Sequence, residues 1–216
     1  MRSAIRQFIG RHKVASTVVA AVALVAAGTG TASASTDAFQ SIDTTLDATA
    51  DSHFRLPAGA PTPGGGFRIG AAYRVTAGTQ TYACTANADG TGTWATKSTP
   101  EAQLRRYGRP ATTIHHYAGP RWESGVDHSI LLGAVDQTTP KDGTIAWLLL
   151  HVAAHENTTP GELDRVQFIS RVNTTGGVGP AGACTPGTDA PKSVAYTADY
   201  VFWVLCKPDR SGRPVG

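Results

Sequence analysis

The 216-residue chain reads as mainly β: a single-domain antiparallel β-sandwich or barrel with one short helix. Three observations point there. Apolar and other residues alternate over Phe67–Val75 and again over Val194–Cys206, the two-residue period of a half-buried strand. Turn signals recur between the apolar stretches, as Ala77-Gly78, Asn87-Ala88-Asp89-Gly90, Thr139-Pro140-Lys141-Asp142-Gly143 and Pro160-Gly161. After the N-terminal region a helix start is signalled once, so strands do not alternate with helices and a doubly wound dinucleotide fold is disfavoured. No internal repeat is visible.

Residues 1–34 read as a signal peptide. Arg2, Arg6, Arg11 and Lys13 form a basic front, Val14–Ala27 an apolar run, and Ala32-Ser33-Ala34 a small-residue cleavage step. The run is short of the roughly 20 residues that span a bilayer. Without an adjacent Arg-Arg pair, the general secretory route is expected. Cleavage after Ala34 removes four of 19 basic residues and none of 16 acidic ones, leaving a net charge of −1. Such a chain offers no electrostatic footprint for nucleic acid or an anionic membrane. The partner expected is an extracellular or cell-surface ligand. The sequence sets neither its identity nor the oligomeric state.

Residues 35–66 form a polar, Pro/Gly-rich N-terminal segment. Phe39, Ile42 and Leu46 allow a short amphipathic turn or a frayed end, and 57–66 reads as a loop. Gly64–Gly66 lacks the spacing of a nucleotide fingerprint, and no cofactor is expected. The β domain spans 67–206, followed by a disordered C-terminal tail, 207–216. Its first strand, Phe67–Val75, turns at Ala77-Gly78 into a second over Thr79–Thr85, where Gln80, Tyr82 and Cys84 share a face. A short strand surrounds Trp94. Ser98-Thr99-Pro100-Glu101 then has the hydroxyl cap, first-turn Pro and acid of a helix start, with Gly108 and Pro110 as the stop. Further strands are expected from Thr113, over Ile130–Val135 and over Val166–Val172. Ile145–Leu150 is continuously apolar and fits a central strand or a buried helix. A long loop, Thr174–Lys192, precedes the last strand.

Export would leave Cys84, Cys184 and Cys206 where disulfides persist. A Cys84–Cys184 bridge is expected, tying the long loop to the body. Cys206 competes from the apolar-facing side of the last strand.

Chemistry concentrates in His115–Glu123 and Asp127-His128-Ser129. His116 is the candidate base or ligand, with Glu123 and Asp127 as the carboxylates within reach in sequence. Tyr117 and Trp122 offer a flat binding wall. Arg171 and Asn173, near the end of another strand, offer a second wall. These groups are expected to converge at one end of the domain, aimed by the Gly119-Pro120 turn. A structural cluster would bury Trp122 and pair Glu123 or Asp127 with Arg171; a binding site would leave Trp122 partly exposed. Ser129, His116 and Asp127 can be nominated as a hydrolase triad, although no Gly-x-Ser-x-Gly elbow is present. His151 and His155 would share one metal on a helix but lie about 13 Å apart on a strand, so no metal site is expected.

Several pieces in order resemble one family: Thr79–Cys84 with Trp94, His116–Glu123, Ala146–Leu149, Arg171–Gly177, Cys184 and Tyr196–Tyr200. Together, over about residues 54–203, they look like the secreted bacterial and fungal domain of unknown function family 3455. The resemblance implies a secreted domain with no established activity. Some fungal relatives carry a malate dehydrogenase label, but the Gly-x-Gly-x-x-Gly turn of a nicotinamide enzyme is missing here. The chain departs from the pattern with His128 in place of a usual Gly, Ser170 in place of a usual Gln, and Cys206 as an addition. The expected function is a non-enzymatic extracellular binding or structural domain. The alternative is a secreted hydrolase or metal-dependent enzyme centred on His116. An enzyme should hold His116 with a carboxylate or second His in a concave pocket. A binding module should show a shallow aromatic face.

Overall fold

The computed structural model describes residues 54–157 and 161–207. The leader, the 35–52 segment and nearly all of the tail lie outside them. Every regular element described is a strand: β1 Phe67–Tyr82, β2 Cys84–Ala86, β3 Gly92–Trp94, β4 Thr99–Arg106, β5 Arg109–Tyr117, β6 Arg121–Ser124, β7 Ile130–Thr139, β8 Trp147–Glu156, β9 Val166–Gly176, β10 Ala183–Cys184 and β11 Lys192–Leu205. Eight of them close into a barrel in the order β1-β11-β9-β8-β7-β6-β5-β4, with β4 pairing back onto β1. The pairings are antiparallel, so the barrel is an up-and-down meander with two excursions. The excursions, β2-β3 and β10, form a small separate sheet in the order β10-β3-β2. The Cys84–Cys184 disulfide crosses it, and Cys206 is free. Cys84 thus staples a satellite sheet.

The expected helix after Ser98 is instead β4. Cap signals are local, whereas Ala102 and Leu104, 2% and 0% exposed, point into the barrel with period two, and pairing with β1 and β5 decides the matter. Pro100 is tolerated because β4 pairs only with β1 at that point; its ladder with β5 begins at Ala102. The expected turn at Ala77-Gly78 is also absent, and β1 runs through it as one strand. Register shifts over Val75/Ala77 against β4 and over Arg74/Thr79 against β11 mark a bulge there. A side chain at Gly78 would collide with Tyr196 and Val75. The bulge inverts the parity of β1: Ala71, Tyr73 and Val75 face inward before it, and Gln80 and Tyr82 are buried after it. Of the two readings of Ile145–Leu150, the strand is correct, as β8.

Alternation in β11 places Tyr196, Ala198, Tyr200, Phe202 and Val204 in the barrel core. Val201 and Trp203 face outward yet are buried, together with Val172. They are covered by the segment before β1, where Phe54, Leu56 and Ala60 pack on them. Ser170 ties this strap down: its hydroxyl donates to the Pro61 carbonyl (2.6 Å) and accepts from the Trp203 indole (2.9 Å). Ser170→Ala leaves both partners buried and unpaired, and should lower the unfolding free energy by about 1–3 kcal/mol. Urea denaturation checks this; an unchanged midpoint would show that the strap carries no such bond.

Candidate functional site

One end of the barrel is plugged. The 161–164 turn inserts Leu163, 1% exposed, and presents Glu162. Glu162 accepts hydrogen bonds from Tyr73 (3.0 Å) and Ser124 (2.9 Å) and lies 3.6 Å from the Arg106 guanidinium. Asp127 belongs here. Its carboxylate accepts from the Ser129 backbone and hydroxyl and from the Glu162 backbone N–H, so it locks the plug in place. Ser129 and Asp127 therefore meet, but His116 does not join them.

His116 lies in the wall leading to the other end. Its register partner across β5 and β6 is Trp122, whereas Glu123 stands opposite His115. Because side chains alternate faces, Glu123 must point out of the barrel where His116 and Trp122 point in. Glu123 accordingly pairs with His128 (2.8 Å) on the surface, with the Tyr117 hydroxyl 3.5 Å away. His128 itself adopts φ 59°, the left-handed conformation that glycine takes most easily. Asn173, at φ 50° in a β9 irregularity, donates to Asp199 and is likewise exposed. Neither Glu123 nor Asp127 pairs with Arg171. Of the expected cluster, His116, Trp122 and Arg171 share a site, and Tyr117, Glu123, Asp127 and Asn173 have other partners.

That site is an open cavity of about 870 Å³ at the unplugged mouth. The His116 and Trp122 rings stack at 4.4 Å and 8°, with Tyr200 edge-on to both. Leu148, Leu150 and Ile145 continue the wall. The rim carries Trp94 at the end of β3, Lys97 and Ser98 from the β3–β4 connection, Gly119-Pro120 from the β5–β6 hairpin, and Val178–Pro180. Gly119 is required at its turn, with φ 125° and Arg121 packed where a side chain would stand. Tyr82 pins the far rim by donating to Gly177 O (2.6 Å). Val135 and Val178, 53% and 49% exposed, leave apolar surface at the mouth. Sequence reasoning missed Gln80, Lys97, Leu148 and Tyr200 as lining residues. A polar Gln80 on the same face as Tyr82 was the available signal.

The cavity's charge is one-sided. Arg171 and Lys97 line it, and no carboxylate does so among the described residues. His116 is uncharged: burial, with a smaller contribution from Arg171, depresses it from 6.5 to about 3 despite its bond to the Arg121 carbonyl. That bond, at 2.8 Å to an atom that only accepts, puts the proton on Nδ1. His151 and His155 are on a strand and bond separately, to Asp136 (2.6 Å) and to Val166 O (3.0 Å).

A histidine whose proton affinity falls on folding makes stability pH-dependent. Below pH 6.5 the unfolded chain takes up a proton that the folded one refuses, until about pH 3. The contribution is therefore complete above pH 6.5 and shrinks on acidification. Asp127 acts in a lower window. Partial burial raises its carboxyl, but bonds from Ser129 and Glu162 outweigh this and hold it at about 2 against 3.8, so its contribution fades below pH 3.8. Between pH 7 and about 4.5 the urea midpoint should fall in the wild type and fall less in His116→Phe. Equal falls would clear His116 as the cause.

Fold and site together define a closed antiparallel β-barrel, plugged at one end and hollow at the other. The chain belongs to the DUF3455 family, described as protein of unknown function, whose model matches residues 69–204. No curated protein and no solved structure matches it.

Proposed function

We propose that this protein is a secreted, non-enzymatic binding domain whose ligand site is the cavity at the barrel mouth. One observation carries the reading: a preformed cavity of about 870 Å³, walled by stacked aromatic and aliphatic side chains around a few polar groups. Volume and lining are those of small-molecule sites. It is a concave pocket rather than the shallow aromatic face expected of a binding module. The alternative, an enzyme centred on His116, lacks its support. The cavity lining holds neither a carboxylate nor a second histidine among the described residues, and burial lowers His116 to about 3, which makes it a weak base near neutral pH. The basic and apolar leader pattern supports export, and the Cys84–Cys184 disulfide is compatible with it. Among the described residues no helix is long and apolar enough to cross a membrane.

A neutral, environment-sensitive naphthalene dye should brighten on titration with the mature protein. Val135→Trp, which fills the exposed mouth without touching the buried core, should abolish the signal. Equal brightening by wild type and variant would place the dye elsewhere and remove the reading. For export, N-terminal sequencing of protein recovered from the medium should begin at Ser35; retention in the membrane fraction with Met1 intact would refute it.

A further inference from the structure

The fixed charges that line the cavity are of one sign. Arg171 is the inner one. Its Nε and Nη2 both donate to the Ala146 carbonyl, at 3.1 and 2.8 Å, which fixes the guanidinium plane. Nη1 makes no hydrogen bond among the described residues. Lys97 adds a second cation at the exposed rim.

Resting on the reading of the cavity as the ligand site, we infer that it takes a small molecule with an apolar body and one negative head, such as a carboxylate. The body lies against the aliphatic wall of Ile145 and Leu148, and the head faces Arg171. The single charge follows from the cations: one is fixed inside and one stands at the rim, too few for a diphosphate. A cationic guest, which aromatic walls alone would welcome, is opposed by Arg171 in the same low-dielectric space.

Calorimetric titration of the mature protein with three probes of one shape tests this: 2-naphthoate, 2-naphthamide and 2-naphthylmethylammonium. Naphthoate should bind at least about tenfold more tightly than the amide, and the ammonium most weakly. Arg171→Met should bring the naphthoate-to-amide ratio near one. Arg171→Lys keeps the charge and should retain most of the preference, which a merely misfolded variant would not. Equal binding of the three probes, tightest binding of the ammonium, or an unchanged ratio in Arg171→Met overturns the anionic head. If the neutral dye and all three probes fail to bind, the cavity is not a ligand site and this inference falls with that reading. If the neutral dye binds but the probes show no preference for charge, only this inference falls.

Discussion

Trp122→Ala is expected to lower the free energy of unfolding by about 3–5 kcal/mol, the cost of truncating a large core aromatic side chain. The indole is 1% exposed. One face stacks on His116, Tyr200 packs against it at 66°, and its far ring atoms occupy the space that Gly133 leaves open. Truncation would extend the mouth cavity into the barrel core, where Leu131 and Leu150 would lose contacts. The unpaired indole N–H works against part of this stability, so Trp122→Phe should cost far less than Ala. Urea denaturation of the two variants separates them. A loss below about 1 kcal/mol in Trp122→Ala would mean that the indole is not packed as described.

Removing the disulfide should have an effect of similar size. Cys84 and Cys184 are 100 residues apart in sequence, and closing such a loop is worth up to about 4.7 kcal/mol in the chain-entropy model. The Cys84→Ala/Cys184→Ala double variant is expected to lose about 2–5 kcal/mol. The loss should not be felt evenly. The bond crosses the β10-β3-β2 sheet, whose neighbours Trp94–Ser98 and Val178–Pro180 form part of the cavity rim. Amide exchange in the double variant should rise first at that rim, with β9 and β11 still protected. Uniform loss of protection across the barrel would contradict this placement.

Much of the barrel was legible because period two survives in the residue types of its strands, even in β11, whose outer face is covered by the strap. The inward set of β11 could be listed residue by residue, as could the first half of β1. The rest was hidden for identifiable reasons. Gly78 marks a bulge as readily as a turn, and only pairing on both sides of β1 distinguishes them. The Ser98–Glu101 cap is a sound local signal overridden by two neighbouring strands. In the site, adjacency misled. Trp122 and Glu123 are neighbours in sequence and so lie on opposite faces of β6, a separation the strand period already contained. Asp127 belongs to the plug because residues 161–164 fold under it, a contact no local pattern carries. The cavity was least legible, since Gln80, Leu148, Arg171 and Tyr200 come from four different strands and share a space only once the barrel closes.

The seam that closes it joins the first barrel strand to the last, with Phe67 opposite Leu205. This sets an order of events during synthesis. The meander from β4 to β9 can assemble from neighbouring stretches as they emerge, because each strand's partner is the next one made. β1 can find β4 early, but its other edge must wait for nearly the whole domain to appear. Until β11 docks, the nascent sheet has an open edge on β1 and another on β9, both bordered by apolar side chains, the state in which β-rich chains stick to one another. A chain ending within β11 would remain in that state, so the last strand governs not only how stable the barrel is but whether it matures at all.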